Sequence, residues 1–154
     1  MPYFDNNSTT PLDPVAREAL IEALENSWAN PSSPYRSSAN VRASVQKCRE
    51  LIGSSIGVCP DLITFTSGAT EANNSVFCHI ARNSSSTSRV LLSPFEHPSV
   101  AEAAHFWFSN RVDFLKAQPN GTISIEELEK YLEEQQLPAL VSVLAASNES
   151  GVIQ

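Results

Sequence analysis

The sequence predicts an α/β fold in which a mostly parallel sheet forms the middle of three layers and helices cover both faces. Strand-like runs alternate with segments of helical periodicity along most of the chain, which is typical of βαβ units. One junction is especially clear, because a β-rich run passes through Ser67-Gly68-Ala69-Thr70 into good helix formers. Parallel strands need such crossovers and are usually buried on both faces.

The composition fits a globular domain and argues against some partners. The chain has 154 residues, 42% of them hydrophobic, and its net charge is −7 without a cluster of basic residues. We therefore expect no nucleic-acid or membrane partner. No secretory signal is expected, because the start lacks a charged segment followed by an apolar one, and no membrane span, because the longest apolar run, 137–146, is too short and interrupted. Three cysteines, an odd number in no metal-ligand spacing, are expected to be reduced thiols, which favours a cytoplasmic location.

Two helices are predicted in the first third of the chain. Asp13 and Pro14 favour a helix start as N-cap and first-turn proline, and apolar residues then recur at helical spacing. A turn-rich loop over 26–35 precedes a second helix over 38–56, which Gly57 ends. The recurring apolar residues are Val15, Ala19, Leu20, Ala23 and Leu24 in the first helix and Val41, Val45, Cys48, Leu51 and Ile52 in the second.

Strands and helices alternate through the rest of the chain. A serine-rich loop is predicted at 83–88, and Pro119-Asn120-Gly121 predicts a turn. The predicted strands are 62–66, 90–93, 112–117 and 140–146, and the predicted helices are 70–82, 98–109 and 125–135.

Two positions at predicted strand ends are candidates for a site, since ligands of open α/β sheets bind at the carboxyl ends of the strands. At Ser67 to Thr70, small residues and a helix N-terminus favour an anion, although many such turns bind nothing. His97 follows the strand over 90–93 and precedes Pro98. It is either a helix cap or a group that transfers protons near neutral pH.

Five motifs stand in order along the chain, and they are Tyr3-Phe4-Asp5-Asn6-Asn7-Ser8-Thr9-Thr10-Pro11, Asn30-Pro31-Ser32-Ser33, Thr64-Phe65-Thr66-Ser67-Gly68-Ala69-Thr70-Glu71-Ala72-Asn73-Asn74, Glu96-His97-Pro98 and Asn148-Glu149-Ser150-Gly151-Val152-Ile153-Gln154. Together they resemble the N-terminal part of the cysteine desulfurases and selenocysteine lyases. These belong to the class V group of pyridoxal-phosphate enzymes, which have the aspartate aminotransferase type of fold.

The resemblance implies pyridoxal 5'-phosphate as the cofactor and assigns four residues to its site. His97 would stack on the pyridine ring and relay protons. Ala69 and Thr70 would anchor the phosphate through backbone N–H and hydroxyl groups. The side-chain amide of Asn148 would donate a hydrogen bond to the phenolic oxygen of the cofactor.

The chain departs from the usual family pattern in two motifs. Ser147 and Ser150 stand where the family usually has Asn and Thr or Ile. Tyr35 and Ser38 stand where it usually has His and Gly, and Pro34-Tyr35 looks closer to the animal selenocysteine lyases.

The resemblance also implies that part of the catalytic machinery lies elsewhere. The Schiff-base lysine of the family follows Ser-x-His, a setting that none of the three lysines has: Lys47, Lys116 and Lys130. That lysine, the aspartate of the pyridine nitrogen and the persulfide-forming cysteine are expected beyond Gln154. Residues 1–14 would be an extended segment that packs with a small domain, and residues 15–154 the N-terminal portion of the large cofactor-binding domain. The chain would then be a fragment, inactive alone.

By the same resemblance, the whole protein would convert L-cysteine to L-alanine and leave the sulfur as an enzyme-bound persulfide for iron–sulfur cluster assembly. It would be a cytoplasmic homodimer that passes sulfur to an acceptor protein, without a metal site. Two alternatives stay open. The substrate is selenocysteine instead, or the chain is a non-catalytic truncated product that serves only as a binding or dimerisation module.

Overall fold

The computed structural model describes residues 2–6, 8–134, 137–147 and 149–154, which form two compact units, residues 1–65 and residues 66–154. Within the described ranges, no helix is both long and apolar enough to cross a membrane.

The first unit contains helices α1 and α2 and a short 3-10 helix. Their bounds are Pro14–Asn26, Arg36–Ile56 and Pro60–Leu62. The predicted start of α1 is confirmed, because an Asp13 carboxylate oxygen accepts hydrogen bonds from the amides of Val15 and Ala16 at 2.9 and 3.4 Å. The predicted end of α2 is also confirmed. Gly57 has a φ of 72°, which favours glycine, and its N–H donates to the Gly53 carbonyl.

The apolar faces of α1 and α2 are largely exposed in this unit. Of its described residues, only Ser38 and Gly53 are buried. Leu24 of α1 is 68% exposed and Leu51 of α2 is 64% exposed. No residue of either apolar face is therefore fully buried within residues 2–6 and 8–65.

The second unit is a parallel sheet with helices on both faces. Its helices are α3 (Ala69–Asn83), α4 (Pro98–Phe108) and α5 (Ile125–Glu134), and its strands are β1 (Val90–Leu92), β2 (Val112–Phe114) and β3 (Leu140–Ser142). Strand β1 lies between β2 and β3, and both pairs are parallel. The predicted parallel α/β sheet is confirmed.

Alternate residues of β1 contribute to two separate clusters, as the pleat of a strand requires. Val90 and Leu92 belong to a buried cluster with residues of α3 and α4: Phe77, Ala103, Ala104 and Phe108. Leu91 belongs to a second cluster with Leu115, Ile123 and, from α5, Leu128 and Tyr131. Helices α3 and α4 therefore cover one face and α5 covers the other, so the predicted three layers are present.

Arg89, Asp113 and Tyr131 connect three elements of this unit. The Arg89 guanidinium donates two hydrogen bonds to the Asp113 carboxylate, and the Tyr131 hydroxyl donates a third at 2.7 Å. The guanidinium holds the pKa of Asp113 below its ordinary value, although burial opposes this. The resulting stabilisation is present above the ordinary carboxyl pKa and is lost as the pH falls through the lowered value.

The prediction of a strand over 62–66 is wrong. Pro60 begins the 3-10 helix, which includes Leu62. Ile63 is extended, with φ −87° and ψ 121°, but residues 63–66 pair with no strand in the described part of the chain. β-branched and aromatic residues favour an extended backbone, whereas a strand also needs a hydrogen-bonded neighbour.

Smaller differences concern where elements begin and end. Helix α2 begins two residues and α3 one residue earlier than predicted, and β2 and β3 end before their predicted limits. The turn predicted at 119–121 is confirmed, since the Gly121 amide donates to the Gln118 carbonyl at 2.9 Å and Gly121 has a φ of 84°.

Candidate functional site

The N-terminus of α3 offers free donors to an anion. The Ser67 amide and hydroxyl both donate to the Glu71 carboxylate at 2.7 Å, and these bonds, the hydroxyl first, lower the pKa of Glu71. Ser67 is thus engaged within the turn. The first-turn amides of Ala69 and Thr70 have no intrahelical acceptor, and the Thr70 side chain is exposed. These groups are the available donors at this helix end.

His97 caps α4 at the end of the segment that follows β1. Its Nδ1 accepts a hydrogen bond from the Ser99 amide at 3.0 Å. The capping interpretation of His97 is therefore correct as far as structure is concerned. It does not exclude a second role, because the residue is exposed and lines a pocket.

That pocket lies at the carboxyl ends of β1 and β3 and has a volume of about 330 Å³. It is lined by residues that follow the two strands: Pro94, Phe95, Glu96, His97, Pro98, Ser147 and Glu149. This is the edge of the sheet at which ligands of parallel α/β folds bind.

Helices α3 and α4 are joined next to this pocket by one side-chain hydrogen bond. Asn73 lies one turn into α3, and its Nδ2 donates to the Ser99 hydroxyl at 2.9 Å. Ser99 in turn contacts His97. The structure therefore ties α3 at Asn73 to the first turn of α4, whereas the predicted phosphate residues Ala69 and Thr70 do not line the pocket beside His97. Ser99 was not among the residues predicted for the site, although Asn73 stands within one of the five motifs.

Glu96 brings a half-buried carboxyl group to the same pocket. Its Oε1 is buried and has no hydrogen-bond partner in the described part of the chain. Burial raises the pKa of Glu96, while the nearby Ser142 and Ser93 hydroxyls and the Leu144 amide act in the opposite direction. None of these three groups is a hydrogen-bond partner of Oε1.

Glu96→Gln is expected to raise the melting temperature at neutral pH more than at acidic pH. Because the pKa of Glu96 is raised, its ionised form is disfavoured in the fold, so stability falls as the pH rises through the ordinary value to the folded one. Glutamine has a similar shape and stays neutral. Thermal unfolding at several pH values checks this, with exposed Glu102→Gln on α4 as the matched control. An equal change at every pH would contradict it.

The loop after β3 is held by Ser147, the residue that replaces the usual asparagine. Its side chain is buried, and its hydroxyl oxygen accepts hydrogen bonds from the amides of Glu149 and Ser150 at 3.3 and 3.2 Å. A serine hydroxyl can close such a turn as an asparagine side chain does. The predicted site residue Asn148 lies outside the described residues.

Gln154 connects this loop to the turn at 119–121. Its side-chain oxygen accepts a hydrogen bond from the Ile123 amide at 2.8 Å, and its side-chain nitrogen donates to the Gly121 carbonyl at 3.0 Å. The loop and the turn are therefore held together by one carboxamide.

None of the three lysines lines the pocket beside His97. The Lys116 ammonium pairs with Glu127 of α5 at 2.9 Å, while Lys47 and Lys130 lie on α2 and α5. Cys48, Cys59 and Cys78 are free thiols, and none lines this pocket.

The family model for class V aminotransferases matches residues 2–154. The chain belongs to the class V aminotransferase family. It is 36% identical over 157 residues to the Archaeoglobus fulgidus protein named cysteine desulfurase IscS 1, covering all of this chain and 41% of that protein. It is 33% identical over 156 residues to the mitochondrial cysteine desulfurase of Drosophila melanogaster, covering 99% of this chain and 33% of that protein.

Two solved structures of NifS-like proteins agree with the fold. A NifS-like protein superimposes with a TM-score of 0.89 at 34% identity, covering 99% of this chain and 42% of that one. A NifS-like protein from Rickettsia africae superimposes with a TM-score of 0.80 at 28% identity, covering 97% and 41%. The chain thus spans about two fifths of the length of these relatives, in their N-terminal part. The resemblance inferred from the five motifs is confirmed.

Proposed function

We propose that the whole protein is a pyridoxal-phosphate-dependent cysteine desulfurase. The observation that carries this proposal is the hydrogen bond from Asn73 to Ser99, which ties the N-terminal part of α3 to the residue that contacts His97 at the carboxyl edge of the sheet. The names of the relatives support the substrate. L-Cysteine would react with a thiol of the enzyme to give L-alanine and an enzyme persulfide, so that one C–S bond breaks and one S–S bond forms.

The donors of the second unit fit the cofactor. Ala69 and Thr70 offer two amides and a hydroxyl to a phosphate, and charge-assisted bonds of this kind are short and strong. His97 presents an exposed ring beside the pocket for stacking and proton transfer. The amide of Asn148 would bind the phenolic oxygen. When bound, the cofactor supplies an electron sink for charge that develops on the substrate.

We further propose that none of the three lysines of this chain forms the Schiff base. Lys116 is paired with Glu127, and none of the three lines the pocket beside His97. By the resemblance, the lysine, the aspartate of the pyridine nitrogen and the persulfide cysteine come from outside residues 1–154. Residues 1–154 alone would therefore not turn over cysteine.

The exposed apolar faces of α1 and α2 favour a second role as a binding or dimerisation module. Leu24 and Leu51 are each more than three fifths exposed, and apolar surface of this kind commonly marks an interface. A homodimer that delivers sulfur to an acceptor protein in the cytoplasm, for iron–sulfur cluster assembly, agrees with this role. Residues 1–14 would pack with the small domain of the whole protein.

The function is tested by supplying the complete protein with pyridoxal phosphate and L-cysteine. Equal amounts of L-alanine and reductant-released sulfide are expected, and residues 1–154 alone should produce neither. A parallel reaction with L-selenocysteine separates the two substrates, since faster turnover of selenocysteine alone would make the protein a selenocysteine lyase. If neither substrate yields alanine, the remaining function is that of a binding module.

In the complete protein, Thr70→Val is expected to weaken cofactor binding by about 10- to 100-fold, because a hydrogen bond to a charged group contributes about 1.5–3 kcal/mol. Thr70→Ser keeps the hydroxyl and is the matched control, so its affinity should stay near that of the parent. Titration of the apoprotein with pyridoxal phosphate measures both. Unchanged affinity in Thr70→Val would remove Thr70 from the phosphate site.

A further inference from the structure

We propose that Ser99, held by Asn73, is a positioning residue that fixes the neutral His97 ring with its proton on Nε2. The tautomer follows from the geometry of this chain alone. Its consequence for turnover rests on the proposed function.

Two donors converge on one nitrogen of the ring. His97 Nδ1 accepts from the Ser99 amide at 3.0 Å and lies 2.8 Å from the Ser99 hydroxyl oxygen. That oxygen also accepts a hydrogen bond from Asn73 Nδ2 at 2.9 Å. The Asn73 bond comes from another helix, and Asn73 and Ser99 are both partly buried.

The proton positions follow from these contacts. A backbone N–H can only donate, so Nδ1 presents its lone pair whenever the bond to the Ser99 amide is formed. A neutral imidazole carries one N–H, which is then on Nε2. Because Asn73 donates to the Ser99 oxygen, the hydroxyl proton is free to point at Nδ1. The amide and the hydroxyl therefore each favour the Nε2–H tautomer, and loss of the hydroxyl weakens that preference.

The opposite edge of the ring, at Nε2, is available to contact a bound molecule. Nε2 has no hydrogen-bond partner among the residues that the structure describes. Two carboxyl groups, those of Glu96 and Glu149, line the same pocket. His97 would thus present the Nε2–H group, and not a lone pair, to a bound molecule, which makes it a hydrogen-bond donor to that molecule.

Helix capping uses the Ser99 amide but not the Ser99 hydroxyl or the Asn73 bond. The cap needs only Nδ1 and the Ser99 amide, and Ser99→Ala keeps both. The hydroxyl and the Asn73 bond contribute to tautomer and ring orientation. Ser99→Ala and Asn73→Ala therefore separate positioning from capping, and Ser99→Thr restores the hydroxyl.

Long-range ¹H–¹⁵N correlation spectra of the 154-residue chain at alkaline pH report the tautomer directly. His97 is one of three histidines, and its signals are assigned by their loss in His97→Gln. In the parent and Ser99→Thr, Nδ1 should have the shift of an unprotonated ring nitrogen and Nε2 that of a protonated one. In Ser99→Ala both shifts should move towards each other, with a severalfold rise in the Nδ1–H population, and Asn73→Ala should do the same to a smaller extent.

Two spectral results would overturn the inference: a proton on Nδ1 in the parent, or a Ser99→Ala spectrum identical to the parent's. Circular dichroism reports whether each variant is folded. If Ser99→Ala does not fold, Asn73→Ala takes its place in the comparison of tautomer populations. In the complete protein, Ser99→Ala should lower kcat for L-cysteine severalfold with little change in KM. If no cysteine is turned over while the spectra behave as expected, the proposed function fails and the tautomer assignment stands. If L-cysteine is turned over but the spectra of the parent and Ser99→Ala are the same, the proposed function stands and the tautomer inference fails.

Discussion

Replacing His97 with phenylalanine in the complete protein is expected to lower cysteine turnover by about 10²–10⁴-fold, the usual contribution of a general acid–base group, while pyridoxal phosphate stays bound. An aromatic ring can still stack on the cofactor, whereas phenylalanine cannot move a proton. Steady-state kinetics with L-cysteine measure the loss, and the absorbance of the bound cofactor reports its retention.

Two further variants separate catalysis from the cap that His97 provides for α4. Asparagine is a good N-cap, so His97→Asn should restore folding if His97→Phe is unstable, but not turnover. His105, exposed in the last turn of the same helix, provides the control, and His105→Phe should keep parental turnover. Near-parental turnover in His97→Phe would disprove proton transfer by this residue.

Phe108→Ala is expected to destabilise the chain by about 3–5 kcal/mol, as large-to-small changes of buried phenylalanines do. Phe108 is fully buried, its ring meets that of Phe77 edge to face at 6.4 Å between centroids, and the Arg111 guanidinium lies 4.9 Å from it. The substitution leaves a cavity in the cluster shared by β1, α3 and α4. Urea denaturation followed by circular dichroism gives the change in unfolding free energy.

Phe106 offers a matched control because it is on the same helix and is 75% exposed. Phe106→Ala should change stability by no more than about 0.5 kcal/mol. If the two substitutions cost the same, the cluster around Phe108 is not the core of the second unit.

Local chemistry made several parts of this fold predictable. The Asp13 cap, the Gly57 helix end and the turn at 119–121 depend on neighbouring residues only, and all three were found where the sequence placed them. The strand over 62–66 was predicted from the same kind of signal and is absent. Its residues lack a partner in the described ranges, which no local pattern can reveal.

The candidate site was predictable in its main residues but not in its connections. His97 and the α3 N-terminus follow from motif and position, yet the Asn73–Ser99 bond joins residues 26 positions apart. The pKa of Glu96 likewise depends on groups far along the chain, among them Ser142 and Leu144, which oppose the effect of burial. Tertiary contacts of this kind have no signature in a single sequence. The cofactor roles of Ala69, Thr70, His97 and Asn148 remain predictions.

Strand β1 is central in the sheet and is synthesised before both of its neighbours. Both strands that pair with it come later in the chain, and the last of them ends at Ser142. A ribosome that adds roughly 5–20 residues per second needs about 3–10 s to travel from Leu92 to that strand. During this interval one edge of a fully apolar strand, Val90–Leu92, is without its neighbour. The nascent chain is then most exposed to misassociation, and chaperone binding at this stage would protect it.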